Sequence, residues 1–221
     1  VNKLLTSKFF YGDDERFDSL DGFELPSDWW SRPHEYAWAS KFLKDDEIII
    51  DAGCGTNHPF KDYAAARVKK IFAIDKDPAI KQFNDTDTLM HVHSDICKLD
   101  GDFAPKSIDK VFCISVLEHM YPVNIVDALK QFKTVLKDDG QIILTMDYPY
   151  LMPETLISLV NDAGLCFAGS VDYDFDKHKA IKGSYGNLKC YRAVLCKPED
   201  ETETKPVAPK ETKPVKPKKT K

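Results

Sequence analysis

Between residues 47 and 196, short apolar runs rich in β-branched residues alternate with stretches whose apolar positions recur every three or four residues. That alternation is the pattern of repeated β-α units. The first run, Glu47-Ile48-Ile49-Ile50-Asp51, is unbroken, as expected of a strand buried on both faces of a parallel sheet. Further strands are predicted over 70–75, around 90–93, and over 108–115 and 141–146. Between them, 58–69 is moderately helical and a short helix follows Asp77-Pro78. Over 122–137, Val123, Val126, Leu129, Phe132 and Leu136 fall on one helical face, with Pro122 at the start and Asp138-Asp139-Gly140 at the end. A helix over 154–163 is closed by Gly164. Strands 165–171 and 189–196 flank a polar, aromatic insertion, 172–187, and are expected to pair as a hairpin with a long connection. Before the first strand, 33–43 reads as a helix with Tyr36, Ala39 and Leu43 on one face, preceded by Trp29-Trp30. Residues 1–28 give no clear pattern. No repeat and no Pro/Gly-rich linker interrupts 33–196, so the expectation is one doubly wound α/β domain.

Composition narrows the class. The chain has 221 residues, 43% hydrophobic and 30% charged, which fits a globular protein and excludes bulk disorder, collagen-like sequence and a membrane bundle. No window approaches the ~18 apolar residues that span a bilayer, and the first residues lack a signal-peptide pattern. A cytoplasmic protein with no membrane association is therefore expected. The six cysteines show no C-x-x-C spacing, so they are read as small buried hydrophobes in a reducing compartment. His91 and His93 share a strand face, but no third ligand stands at a metal-site spacing, and no metal is expected. Residues 197–221 hold eight Lys, five acids and five Pro; this segment carries +3, which leaves −8 of the overall −5 on residues 1–196. Such a tail cannot bury enough apolar surface to offset its ordering entropy and is expected to be disordered. The acidic body argues against a nucleic-acid partner.

In an open parallel sheet, ligands bind beyond the carboxyl ends of the strands, so the residues that follow each strand carry the chemistry. After the first strand comes Asp51-Ala52-Gly53-Cys54-Gly55-Thr56-Asn57, where glycines permit a tight turn and close backbone approach to a ligand. Asp75 ends the second strand, 22 residues beyond Gly53, where an acid can accept from ribose hydroxyls. The pair points to an adenosine-type ligand. His58 occupies the third glycine position of a dinucleotide fingerprint, which disfavours NAD or FAD.

The segments D-A-G-C-G-T, FAIDKDP, HSDI, IDKVFCISVLEHM and LKQFKTVLKDDGQIILTM, in that order over roughly 47–147, resemble class I S-adenosylmethionine-dependent methyltransferases, in particular the broad methyltransferase type 11-like subgroup. The resemblance implies a Rossmann-like seven-stranded sheet, mostly parallel with an antiparallel last strand. It also implies S-adenosyl-L-methionine as cofactor. Gly53, Cys54 and Gly55 would line the methionine end, and Asp75 would hold the ribose, with Lys76 beside the adenine. Asp95 would accept from the adenine amino group, Ile96 would pack on the ring, and Ser115 would sit beneath the methionine. Asp51 would orient the loop. Arg32 and Tyr36 form a further cofactor-binding group, because similar methyltransferases cover the cofactor with an N-terminal element and a guanidinium can pair with its carboxylate. Where the family commonly has a third glycine this chain has Asn57, a residue that tolerates the left-handed backbone.

Methyl transfer needs the nucleophile held close to the methyl carbon, and a base only where the acceptor is protonated. His119, after the fourth strand, is the candidate catalytic base. Tyr148 and Tyr150 are expected to shape the acceptor pocket. The insertion 172–187, with Tyr173, Phe175, Tyr185 and hinge glycines Gly183 and Gly186, is a candidate lid. The expected organisation is a cofactor-covering segment, 1–46, a methyltransferase domain, 47–196, and the tail, 197–221. The expected activity is methylation of a small-molecule or glycan-type acceptor. The alternative is a methyltransferase-like binding or scaffold protein without turnover, for which Asn57 leaves room.

Overall fold

The computed structural model describes residues 2–176, 178–184 and 186–198. The tail beyond Pro198, and Tyr185 of the insertion, lie outside the described residues. The strands are β1 (Lys8–Phe9), β2 (Ser19–Leu20), β3 (Phe23–Glu24), β4 (Ile48–Ala52), β5 (Lys70–Asp75), β6 (Leu89–His93), β7 (Ile108–Ile114), β8 (Leu136–Tyr148), β9 (Cys166–Phe167) and β10 (Lys189–Cys196). The helices are α1 (Arg32–Ala39), α2 (Phe60–Ala65), α3 (Pro122–Val135) and α4 (Pro153–Asp162).

The main sheet runs β1-β10-β8-β7-β4-β5-β6, with β9 also on β10. From β8 through β6 every pairing is parallel, while β10 is antiparallel to β8. The Rossmann-like topology predicted from the sequence is therefore present, with one strand more than expected. That extra strand comes from the segment without a clear pattern. β9 is only two residues long and covers Leu195 and Cys196 of β10, leaving the other end of that edge open. β1 fills it, pairing antiparallel with Tyr191 and Arg192, and the Ser7 hydroxyl accepts the Val194 N–H at 3.3 Å. An open edge exposes unpaired backbone groups, which is the physical reason a two-residue strand is recruited there. The N-terminal segment is thus part of the sheet as well as a cover over it.

Alternate residues of each strand feed two cores. Ile50, Val111, Cys113 and Leu144 pack under α3 and α4 against Leu129, Phe132, Leu156 and Val160. Ile49, Ile71, Phe112 and Ile143 pack on the other face against Tyr36, Trp38 and Phe60 of α1 and α2. This two-sided burial explains why the strand sequences are continuous apolar runs. The predicted strand over 165–171 is reduced to β9 and a single parallel bridge between Ser7 and Val171. The described part of the insertion packs against the N-terminal segment and the end of β8. Ile181 N–H donates to Phe10 O, Gly12 N–H to Lys179 O, and Phe175 packs on Phe9 and Tyr148 at ring separations of 4.7 and 5.6 Å. Among the described residues, no helix is long and apolar enough to cross a membrane.

Candidate active site

The strand order reverses between β4 and β7, and a crevice opens there. Gly53 follows β4 and Ser115 follows β7. Two cavities meet at these residues. One, of about 560 Å³, is lined by Gly53, Asp75, Lys76, Asp95, Ile96, Ser115 and His119 among others. The second, of about 100 Å³, is lined by Gly53, Cys54, Gly55 and Ser115 together with Arg32, Tyr36 and Asp51. All eleven site residues selected from sequence thus line one or other of two adjoining cavities. Tyr148, Tyr150 and the described part of the insertion line neither: Tyr148 is packed against Phe9 and Phe175, and Tyr150 is 68% exposed.

The glycine loop has the shape its sequence requires. Gly53 and Gly55 have φ of +73° and +63°; a Cβ on Gly53 would stand 2.7 Å from Val116 Cγ2, and one on Gly55 2.6 Å from His58 Cδ2. Either substitution would fill the floor of the crevice. Asn57, by contrast, is not among the residues of positive φ, so its tolerance of the left-handed region is not what preserves the loop. A lysine does that work instead. Lys61, 2% exposed, donates from Nζ to the carbonyls of His58 at 2.7 Å, Gly55 at 3.1 Å and Thr56 at 3.4 Å. Burial pushes the Asp51 carboxyl up to about 7, with Lys61 opposing and Asp75 adding to the effect.

Asp75 holds the loop from the other side. Its Oδ2 accepts Gly55 N–H at 2.8 Å and its Oδ1 accepts Asp77 N–H at 2.9 Å. An ionised carboxylate has about four lone-pair sites, so two remain for ligand hydroxyls. Asp95 accepts Cys97 N–H at 2.9 Å through Oδ1. At the opposite end, Tyr36 Oη and His58 Nδ1 are 3.1 Å apart, and the His58 ring stacks on Trp29. Burial, reinforced by Arg32 and Lys61, pulls His58 down to about 4, so the imidazole is neutral at neutral pH.

Sequence reasoning missed Glu35. Fully buried, it pairs with Arg32 at 2.7 Å and accepts Ser115 Oγ at 2.9 Å and the Thr145 hydroxyl. Burial pushes its carboxyl up, but the Arg32 guanidinium and the hydroxyls of Ser31, Thr145 and Ser115 hold it below the usual carboxylate range. This network ties α1 to the ends of β7 and β8. It also fixes Ser115 at φ +49°, a conformation that non-glycine residues rarely adopt. The signal available in sequence was the i, i+3 pairing of Arg32 with Glu35 on a helix. A second missed group is a pair of carboxyls, Glu118 just after β7 and Asp147 near the end of β8. Glu118 Oε1 accepts Asp147 N–H at 3.1 Å, while Glu118 Oε2 and Asp147 Oδ1 are buried without a partner. Burial pushes Glu118 up to about 8 and Asp147 up to about 6.

His91 lies against Asp85 and stacks on Phe83, and His93 Nε2 is 3.1 Å from Lys76 O. Among the described residues, no group of three or more His, Cys, Asp or Glu is arranged to hold a metal.

A parallel sheet with its crevice at the switch point, a glycine loop after the first parallel strand and an acid at the end of the second fit a class I S-adenosylmethionine-dependent methyltransferase. Residues 50–144 match the family model described as a methyltransferase domain, which supports that assignment. None of the curated proteins compared matches its sequence. Solved structures do match in fold. One is a TehB-like SAM-dependent methyltransferase from Corynebacterium glutamicum, at TM-score 0.57 and 17% identity over 74% of this chain and 87% of that one. Another is the Burkholderia thailandensis 1,6-didemethyltoxoflavin-N1-methyltransferase with bound 1,6-didemethyltoxoflavin and S-adenosylhomocysteine, at TM-score 0.57 and 15% identity over 77% and 79%. The [4+2]-cyclase SpnF is as similar, at TM-score 0.57 and 14% identity over 86% of each chain.

Proposed function

We propose that this methyltransferase acts on a small-molecule or glycan-type acceptor. The observation that carries the reading is the lining of the crevice. Its larger cavity falls in the volume range of small-ligand pockets, and beyond Asp75, Lys76, Asp95 and Ile96, which the cofactor would occupy, it is walled by His119, Met120, Tyr121, Asn124 and Asp127 with Lys98 as the one further Lys or Arg. A nucleic-acid acceptor requires a continuous basic path for its phosphates. The 1,6-didemethyltoxoflavin-N1-methyltransferase, similar in fold, is crystallised with bound 1,6-didemethyltoxoflavin.

The residues present suit the cofactor. The two free lone-pair sites of Asp75 would accept from the ribose hydroxyls, Asp95 would take the adenine amino group, and Lys76 and Ile96 would flank the ring. Gly53 and Gly55, with no Cβ to fill the floor, let the backbone approach the methionine end, where Cys54, Ser115, Arg32 and Tyr36 complete the wall. Arg32 gives one N–H to Glu35 and keeps others for a carboxylate. When bound, S-adenosylmethionine supplies an electrophilic methyl group. His119 would take the proton of an acceptor that is protonated at working pH, and the Glu118 carboxyl, anchored on Asp147 N–H, positions the turn that carries it.

The test is release of S-adenosylhomocysteine across a panel of small hydroxyl-, amino- and carboxyl-bearing compounds and sugars, with an oligonucleotide and a protein acceptor as comparators. Turnover is expected with small acceptors, and His119→Ala should lower kcat by roughly 10²–10⁴ while leaving cofactor affinity unchanged. Turnover confined to the oligonucleotide or the protein would contradict the proposal.

A further inference from the structure

The crevice is not the only built cavity. A second, of about 510 Å³, lies on the edge formed by β1 and β10 and shares no lining residue with the crevice. Lys3, Lys8, Lys41 and Arg192 line it, against two acids, Asp14 and Glu15, with Trp38, Leu4 and Thr6 completing the wall. On a body that carries −8 over residues 1–196, a cavity with an excess of positive charge is an exception.

Arg192 is its built element. The residue is only 7% exposed, with its guanidinium over the rings of Phe10 at 4.7 Å and Trp38 at 5.6 Å. Burying a guanidinium is costly unless its donors are met. Here Nε is buried with no partner, and the one carboxylate in reach, Asp14, stands at 3.2 Å. The same Asp14 oxygen serves Lys8 at 3.8 Å, and the other accepts Tyr11 N–H. Lys41 pairs with Glu15, and Lys3 stands in no ion pair among the described residues. Arg192 is therefore held in place by the fold, and the four cations are only partly neutralised.

We propose that this cavity binds the phosphate group of a small molecule. Arg192 supplies a rigid, stacked fork of N–H donors that suits a tetrahedral oxyanion, and Lys8, Lys41 and Lys3 supply charge around it. Trp38, whose Nε1–H donates to Leu4 O at 3.4 Å, provides an apolar wall for the organic part of a phosphate ester. The site is distinct from cofactor binding and leaves the crevice residues untouched.

The test is calorimetric titration of the full chain with inorganic phosphate and with a sugar phosphate, alongside thermal melts in sodium chloride of equal ionic strength. Saturable binding is expected. A sugar phosphate that binds at least tenfold tighter than inorganic phosphate would mark a phosphorylated small molecule as the ligand, and equal affinity would mark the free anion. Lys8→Gln/Lys41→Gln, which changes two partly exposed side chains, should weaken binding at least tenfold with S-adenosylmethionine affinity unchanged. Absence of saturable binding, a chloride effect as large as that of phosphate, or a double variant that binds as the wild type does would overturn the proposal.

Discussion

Glu35→Gln tests whether the buried network behind the glycine loop holds the fold as its geometry requires. The wild-type carboxylate is fully buried, 2.7 Å from the Arg32 guanidinium, and accepts the hydroxyls of Ser115 and Thr145. Glutamine keeps an oxygen for the hydroxyls but removes the charge that faces Arg32. Breaking a buried ion pair by neutralising one partner costs about 3–5 kcal/mol. Since the Arg32 side chain is 19% exposed and can draw on solvent, the lower end applies, about 3 kcal/mol. For a chain of this size that corresponds to a Tm lower by about 6–12 °C. Urea unfolding at neutral pH should show the loss as a lower midpoint at unchanged slope. The sign of the pH dependence follows from the carboxyl being held below its ordinary value of 4.5. Its contribution is present above that value and lost as pH falls through the folded pKa, so the gap between variant and wild type should narrow in acid. A variant within about 0.5 kcal/mol of wild type at neutral pH, or a gap that widens in acid, would refute the reasoning.

Gly53→Ala places a methyl 2.7 Å from Val116 Cγ2 at φ +73°, so it should cost about 1–2 kcal/mol in backbone strain, and calorimetry should show cofactor affinity at least tenfold weaker. Glu118 has the opposite pH sign to Glu35. Burial raises it to about 8 in the folded chain, so the stability it carries is present below 4.5 and lost as pH rises toward 8. Glu118→Gln does not titrate; its urea midpoint should therefore gain on the wild type between acid and alkaline pH, and parallel profiles would sink the argument. Removing the clamp with Lys61→Met leaves three loop carbonyls without their cation and should weaken cofactor binding more than it lowers Tm, as measured by paired calorimetry and thermal melts.

Those features governed by local pattern were legible in the sequence. The apolar runs of β4, β5 and β7, the amphipathic face of α3 with Pro122 at its start, and the residues just beyond each parallel strand all follow from periodicity and turn chemistry. For that reason Gly53, Asp75 and His119 could be found by position, while Asp95 and Ser115 came from the family resemblance, and the structure brings them to one crevice. What escaped depends on contacts distant in sequence. β1 is two residues long and forms only because β9 leaves half of β10 uncovered. Lys61 has no motif and acts through three carbonyls that only the folded loop presents. Glu35 reaches Ser115 and Thr145 across 80 and 110 residues. Within the insertion, Phe175 packs on Phe9 and Tyr148, a contact that no local pattern announces.

The central claim is that Asp75 and the glycine loop form a site for S-adenosylmethionine and not for a dinucleotide. Calorimetric titration of the wild type and of Asp75→Ala, with NAD as the competing ligand, tests it most directly. Wild type should bind S-adenosylmethionine and not NAD, and the variant, folded by thermal melt, should bind about 10²-fold more weakly, as expected for two lost charge-assisted hydrogen bonds. Binding of NAD, or a folded Asp75→Ala that holds S-adenosylmethionine as tightly as the wild type, would contradict it.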